Sequence, residues 1–289
     1  MTRTTLAVLM WLSLAAPLQA AGAAPSPEPA DPEQVARLAE AGAMELALAL
    51  IDAHQPAPPE AADWIDWERL RLTLLQRQER WRELVARAEA LPASAPAAFR
   101  RWADARRAEA ELASGRADAA RAVLVGLIWG DAIADSAELA RWRRSLIQAY
   151  LAADANADAY TALLRYEQDY APDDADWKRL RARVLLAVER PQEARASLGS
   201  DPAPEARPLY LLAAMRSGAM TPAAVRKEAE RAALTKGVGA AVRAELWVAA
   251  AEAARLSGDP EGELGHLAQA VASGAPAGSL LQADSSRLW

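Results

Sequence analysis

The 289-residue chain has two histidines, at 54 and 266, and no cysteine. A helix-borne zinc site needs imidazoles one turn apart, as in His-Glu-x-x-His or His-x-x-x-His, and an activated nucleophile needs a base beside it. His54 and His266 have neither arrangement and stand far apart in the chain, so no metal site is expected. His54, close to a predicted helix end, reads as a partner for terminal carbonyls or solvent. No Gly-x-Ser-x-Gly elbow, phosphate-binding loop or dinucleotide fingerprint is present. Gly237-Val238-Gly239 comes nearest to a glycine-rich loop, but no strand precedes it and it reads as a linker between two helices. Acidic pairs such as Asp173-Asp174, or Glu228 with Glu230, have the residue types for general acid and base work. With 39 acidic side chains on a solvated helical surface such pairs are inevitable, and a carboxylate needs an enclosed pocket to shift its pKa. No catalytic residue and no cofactor is expected.

The strongest candidate for binding is basic. Arg100, Arg101, Arg106 and Arg107 fall on one predicted helix, and Arg141, Arg143 and Arg144 on the first helix of the next hairpin. Guanidinium groups hold carboxylates by paired hydrogen bonds, and Trp102 and Trp142 offer flat surface beside them. The competing reading pairs half of these arginines with Glu109, Glu111 and Glu138 on solvated faces and places both tryptophans in the core.

The elements that position these residues are helical. Ala, Leu, Arg and Glu dominate, Phe occurs once, and 30 of the 33 basic residues are Arg. That composition favours helix, while the β-branched and aromatic residues that strands prefer are scarce. Almost no sheet is expected. Residues 1–20 carry Arg3, an apolar run from Leu6 to Ala16 and small residues before Ala20, the three-part pattern of a cleaved secretory signal. Residues 21–32 hold four prolines and read as a flexible leader. Export without cysteine, in an Ala- and Arg-rich chain of bacterial character, points to the periplasm. The longest later stretch without charge, Leu264 to Ala283, contains His266, Pro276 and three glycines, so no transmembrane span is expected. A net charge of -6 argues against general nucleic-acid binding.

From Pro32 the chain repeats one pattern: an amphipathic segment, a polar turn, a second amphipathic segment and a break. Apolar residues recur at three- and four-residue steps, as in Leu139, Trp142, Leu146 and Tyr150, then Ala159, Leu163, Tyr166 and Tyr170, and later Val242, Leu246, Ala249, Ala253 and Leu256. Turn markers at 42, 78, 115, 154, 189, 218 and 258 are spaced by 29 to 40 residues, the period of stacked helical hairpins. A lone hairpin would leave its apolar flank wet, and stacking buries it.

Residues 40–51 (EAGAMELALALI) and 111–124 (ELASGRADAARAVL) resemble the central turn of the tetratricopeptide repeat family, with Gly42 and Gly115 at the hairpin and small Ala47 and Ala120 five places on. Pro59 and Pro92 stand near that family's helix-ending proline. Glu263 departs from the pattern, and the unit near 189 is short. The resemblance implies an all-α fold, a right-handed α-α superhelix of about seven irregular hairpins over residues 33–275. It also implies that first helices line a concave groove, which would place the arginine clusters against a partner: another periplasmic protein or peptide, or an anionic cell-wall polymer. Export, composition and irregular hairpins are also similar to the superhelical domain of soluble lytic transglycosylases. That family's catalytic Glu is followed by Ser, and no Glu-Ser dipeptide occurs here, so that activity would need a catalytic domain outside these residues. Residues 276–289 end in QADSSRLW, where Asp284 to Ser286 offer caps to a helix beginning with Leu288 and Trp289. This reads either as the start of a further, truncated repeat or as a plug folding Trp289 onto the last hairpin.

Overall fold

The computed structural model describes residues 31–56, 63–130 and 135–274. The signal segment 1–20, all but two residues of the leader, Pro59 and the stretch 276–289 lie outside these residues. Among the described residues the fold is all-α, without strands. Seven hairpins follow one another: α1 (Pro32–Glu40) with α2 (Met44–His54), α3 (Trp64–Arg77) with α4 (Trp81–Glu89), α5 (Ala97–Ala113) with α6 (Ala117–Trp129), α7 (Ser136–Ala152) with α8 (Asn156–Tyr170), α9 (Ala175–Ala187) with α10 (Pro191–Leu198), α11 (Arg207–Arg216) with α12 (Pro222–Ala233), and α13 (Ala240–Leu256) with α14 (Pro260–Ala272).

Every hairpin turns the same way. One residue in each sits at positive φ: Gly42, Glu79, Gly115, Asp154, Glu189, Gly218 and Gly258. At Gly115 the turn residue's N–H donates to the Leu112 carbonyl at 3.0 Å, and the next N–H, from Arg116, donates to the Glu111 carbonyl at 2.8 Å. The same two bonds recur at all seven turns. This left-handed cap satisfies carbonyls that the ending helix would otherwise leave open. These are the turns expected from the sequence, with the second marker moved from 78 to Glu79.

Five residues after the turn, Ala47, Leu84, Ala120, Ala159 and Ala194 are completely buried, which is why the position takes mostly small side chains. The last two hairpins break this register. Thr221 caps α12 by accepting from the Ala224 N–H, which delays the helix and turns Val225 and Ala229 inward. Asp259 caps α14, and its buried residues are Leu267 and Ala270, so Glu263 is tolerated. Asp135 and Asp174 cap α7 and α9 in the same manner.

The chain divides at His54 into two compact units. The first contains α1 and α2, packed on each other, with Val35, Ala39, Ala47 and Ile51 buried. The second contains the other twelve helices. In it each second helix packs on the first helix of the next hairpin, and the first helices touch in an unbroken series, α3, α5, α7, α9, α11 and α13. This is the consecutive stacking of an α-α superhelix.

The stripes read from the sequence supply the core. Trp142, Leu146, Ala159, Leu163 and Tyr166 are buried, and Trp177 stacks on Tyr166 with ring centroids 4.7 Å apart. A tryptophan buried as fully as Trp177 removes about 200 Å² from water, a gross gain of about 5 kcal/mol. The stripe on α13 is wider than its sequence spacing suggests: every residue from Leu246 to Ala251 is buried, because α11, α12 and α14 all pack on this helix. Leu256, at its end, is exposed.

Candidate functional site

The seven arginines singled out in the sequence lie on α5 and α7, neighbours in the row of first helices. Their cations do not share one environment. Arg107 donates to Glu89 on α4 at 2.5 Å and lies 3.8 Å from the buried Glu111. Arg143 donates to Asp169 at 2.5 Å. Arg144 grips Asp174 with both terminal nitrogens, at 3.0 and 2.7 Å, while lying over the rings of Tyr166 and Trp177. Asp174 also accepts from the Trp177 N–H, and hydrogen bonding from Arg144 holds its carboxyl below the usual aspartate range. These three arginines clamp neighbouring helices together. Arg101 lies over the ring of buried Trp142 at 5.4 Å, and Arg100 is exposed.

Arg106 and Arg141 belong to a different group. The Arg106 guanidinium sits 3.9 Å from the centre of the Trp102 ring, and Arg69 of α3 sits 4.5 Å from the same ring. Trp102 is stacked on Phe99 at 5.6 Å, and buried Phe99 meets Trp64 edge-on, so the ring has a fixed base. Arg141, exposed on α7, is close enough to repel Arg106. Burial holds the Arg106 pKa below its ordinary value; Glu109 and Glu138 oppose this, while Arg69 and Arg141 add to it. The group stays charged at neutral pH. Among the described residues no carboxylate lies within 4 Å of Arg69, Arg106 or Arg141, and the Arg106 Nε is buried without a hydrogen-bond partner. Glu109 instead accepts a hydrogen bond from Gln76 at 2.8 Å.

Two cations from consecutive first helices therefore lie over one half-exposed indole, and a third, Arg141 on the next first helix, is close enough to repel Arg106. Arg106 donates one terminal nitrogen to the Trp102 carbonyl at 3.4 Å, while the exposed Arg69 and Arg141 keep their donors free for a planar anion. Sequence reading missed Arg69, which has no basic cluster around it beyond Arg71. Register was the available signal for part of the group: Trp102 and Arg141 each stand thirteen residues before a left-handed turn residue, Gly115 and Asp154.

The carboxylate pairs serve packing. Asp173 pairs with Lys178 at 2.6 Å. Glu228 accepts from Arg207 and Arg231, joining α11 to α12. Glu230 pairs with Arg226 at 3.0 Å and lies 3.2 Å from His266, which stacks on Trp247. Burial lowers the His266 pKa, against the attraction of Glu230. His54 is the exposed last residue of α2. Among the described residues no helix is long and apolar enough to cross a membrane. No protein-family profile matches this chain, and no curated protein matches it at a significant level.

Proposed function

We propose that this chain is a non-catalytic, tetratricopeptide-like scaffold that holds an acidic segment of a partner protein against its row of first helices. The observation that carries this reading is the pair Arg69 and Arg106 over Trp102, with Arg141 close enough to repel Arg106. Like charges gathered without a carboxylate in ion-pair contact are costly unless a ligand neutralises them; Glu109 and Glu138 act on Arg106 only from beyond 4 Å, and the group lies on three adjacent helices in a chain of net charge -6. An extended acidic segment laid across α3, α5 and α7 would meet one cation per helix, with the indole as a flat rest. The signal-like pattern of residues 1–20 supports a periplasmic setting for this encounter, in the assembly or upkeep of the cell envelope.

The test is capture of partners from an envelope extract by the wild-type chain and by Arg69→Glu/Arg141→Glu, both exposed positions. A partner retained by the wild type and lost from the variant, with release rising as salt is added, supports the reading. Equal retention by both chains refutes it.

A further inference from the structure

The sixth hairpin is built differently from its neighbours. Its first helix, α11, has ten residues, whereas the first helices on either side, α9 and α13, have thirteen and seventeen. In place of the missing turns the chain runs irregularly from Gly199, at φ 77°, past the buried Pro202 into a short 3₁₀ turn, Pro204–Ala206. The detour leaves a cavity of about 360 Å³ between this segment, α11 and α12. That volume lies within the range of small-molecule sites. In repeat arrays an irregular unit often marks a binding face.

The cavity joins two kinds of surface. Pro202, Leu211, Met220 and the ring of Tyr210 supply apolar wall, and Arg207, Lys227 and Arg231 supply charge. Glu228 accepts from Arg207 at 2.6 Å and from Arg231 at 2.7 Å, so one carboxylate faces two guanidinium groups and a positive charge remains. Lys227 is exposed and has no carboxylate within 4 Å among the described residues, which adds a second. The Tyr210 hydroxyl makes no hydrogen bond to another described residue and is a further free donor.

We infer that this cavity binds a small amphipathic carboxylate, its apolar body against Tyr210 and Met220 and its anionic head on Lys227 and the outer face of Arg231. The same chemistry occurs in a free acyl chain and in a peptide ending in an apolar residue. The inference is independent of the partner site on α3, α5 and α7.

Calorimetric titration of the full chain with octanoate and with N-acetyl-leucine tests it, and the tighter ligand identifies the source. Octanoate, or the leucine derivative, is expected to saturate a single site. Octanol and acetate, each lacking one half of the chemistry, bind at least about tenfold more weakly. Lys227→Ala weakens the carboxylate about tenfold, and Ala224→Trp, an exposed position on the cavity wall, abolishes binding in a chain whose helical dichroism is unchanged. Arg69→Glu/Arg141→Glu leaves it unaltered. Equal affinity for octanol and octanoate, no saturable binding of either acid, or binding that survives both cavity variants would overturn the inference.

Discussion

Replacing Gly218 by Ala, and separately Glu189 by Gly, reverses the residue types at two turns of identical bonding. Gly218 has φ 75°, and a Cβ built there meets nothing within 4 Å, so the whole cost of the Ala is torsional. A side chain in the left-handed region costs about 1–2 kcal/mol, and the lost flexibility of the unfolded glycine returns about 0.4–1 kcal/mol. Gly218→Ala should therefore destabilise by about 1 kcal/mol. Glu189 has φ 57°, is exposed and forms no ion pair among the described residues. Glu189→Gly loses no contact, relieves the same strain and should stabilise by up to about 1 kcal/mol. Urea unfolding followed by tryptophan fluorescence reads both, as opposite shifts in midpoint with unchanged slope. A neutral Gly218→Ala, or a Glu189→Gly that lowers the midpoint, would refute the left-handed turn as the common hinge of the hairpins.

Glu68 is fully buried and accepts from Nε and one terminal nitrogen of Arg87 at 2.6 and 2.5 Å, so Glu68→Ala should cost about 3 kcal/mol in urea unfolding. Arg165→Ala, at an exposed pair 3.8 Å from Asp169, should change stability by less than about 0.5 kcal/mol in the same assay. His266 has a folded pKa below its ordinary 6.5, so the unfolded chain takes up the proton first as pH falls. Its stabilising contribution is complete above pH 6.5 and declines as pH drops through the lower folded value; His266→Phe, which keeps a ring on Trp247, should flatten the stability profile below pH 6.5. Arg144→Lys loses the paired bonds to Asp174 and the contact with two rings, and should lower stability by about 1–2 kcal/mol by thermal or urea unfolding.

The hairpins were legible in the sequence because their two determinants are local. A left-handed turn favours Gly, and Gly42, Gly115, Gly218 and Gly258 mark four of the seven; the spacing of apolar residues then reveals the others, where Glu79, Asp154 and Glu189 adopt the same conformation. Burial at α13 was less legible, since three packing partners bury more than one stripe and that number depends on tertiary position. The partners of the basic clusters were hidden for a related reason. Arg143 and Arg144 look free beside one another, but their partners Asp169 and Asp174 come from the end of the same hairpin and the start of the next. Neighbours in sequence were clamps, whereas the group around Trp102 is assembled from three hairpins and includes an arginine with little local signal.

The most direct test of the scaffold reading is site-specific cross-linking in an envelope extract. A photoreactive residue replaces Gln148, exposed on α7 two turns beyond Arg141, or, as a control, Arg165, exposed on the second helix of the same hairpin. The account predicts one discrete adduct from position 148, absent at 165 and lost when Arg69→Glu/Arg141→Glu is added. An adduct from 165 alone, or one from 148 that persists in the charge-reversed chain, would contradict it.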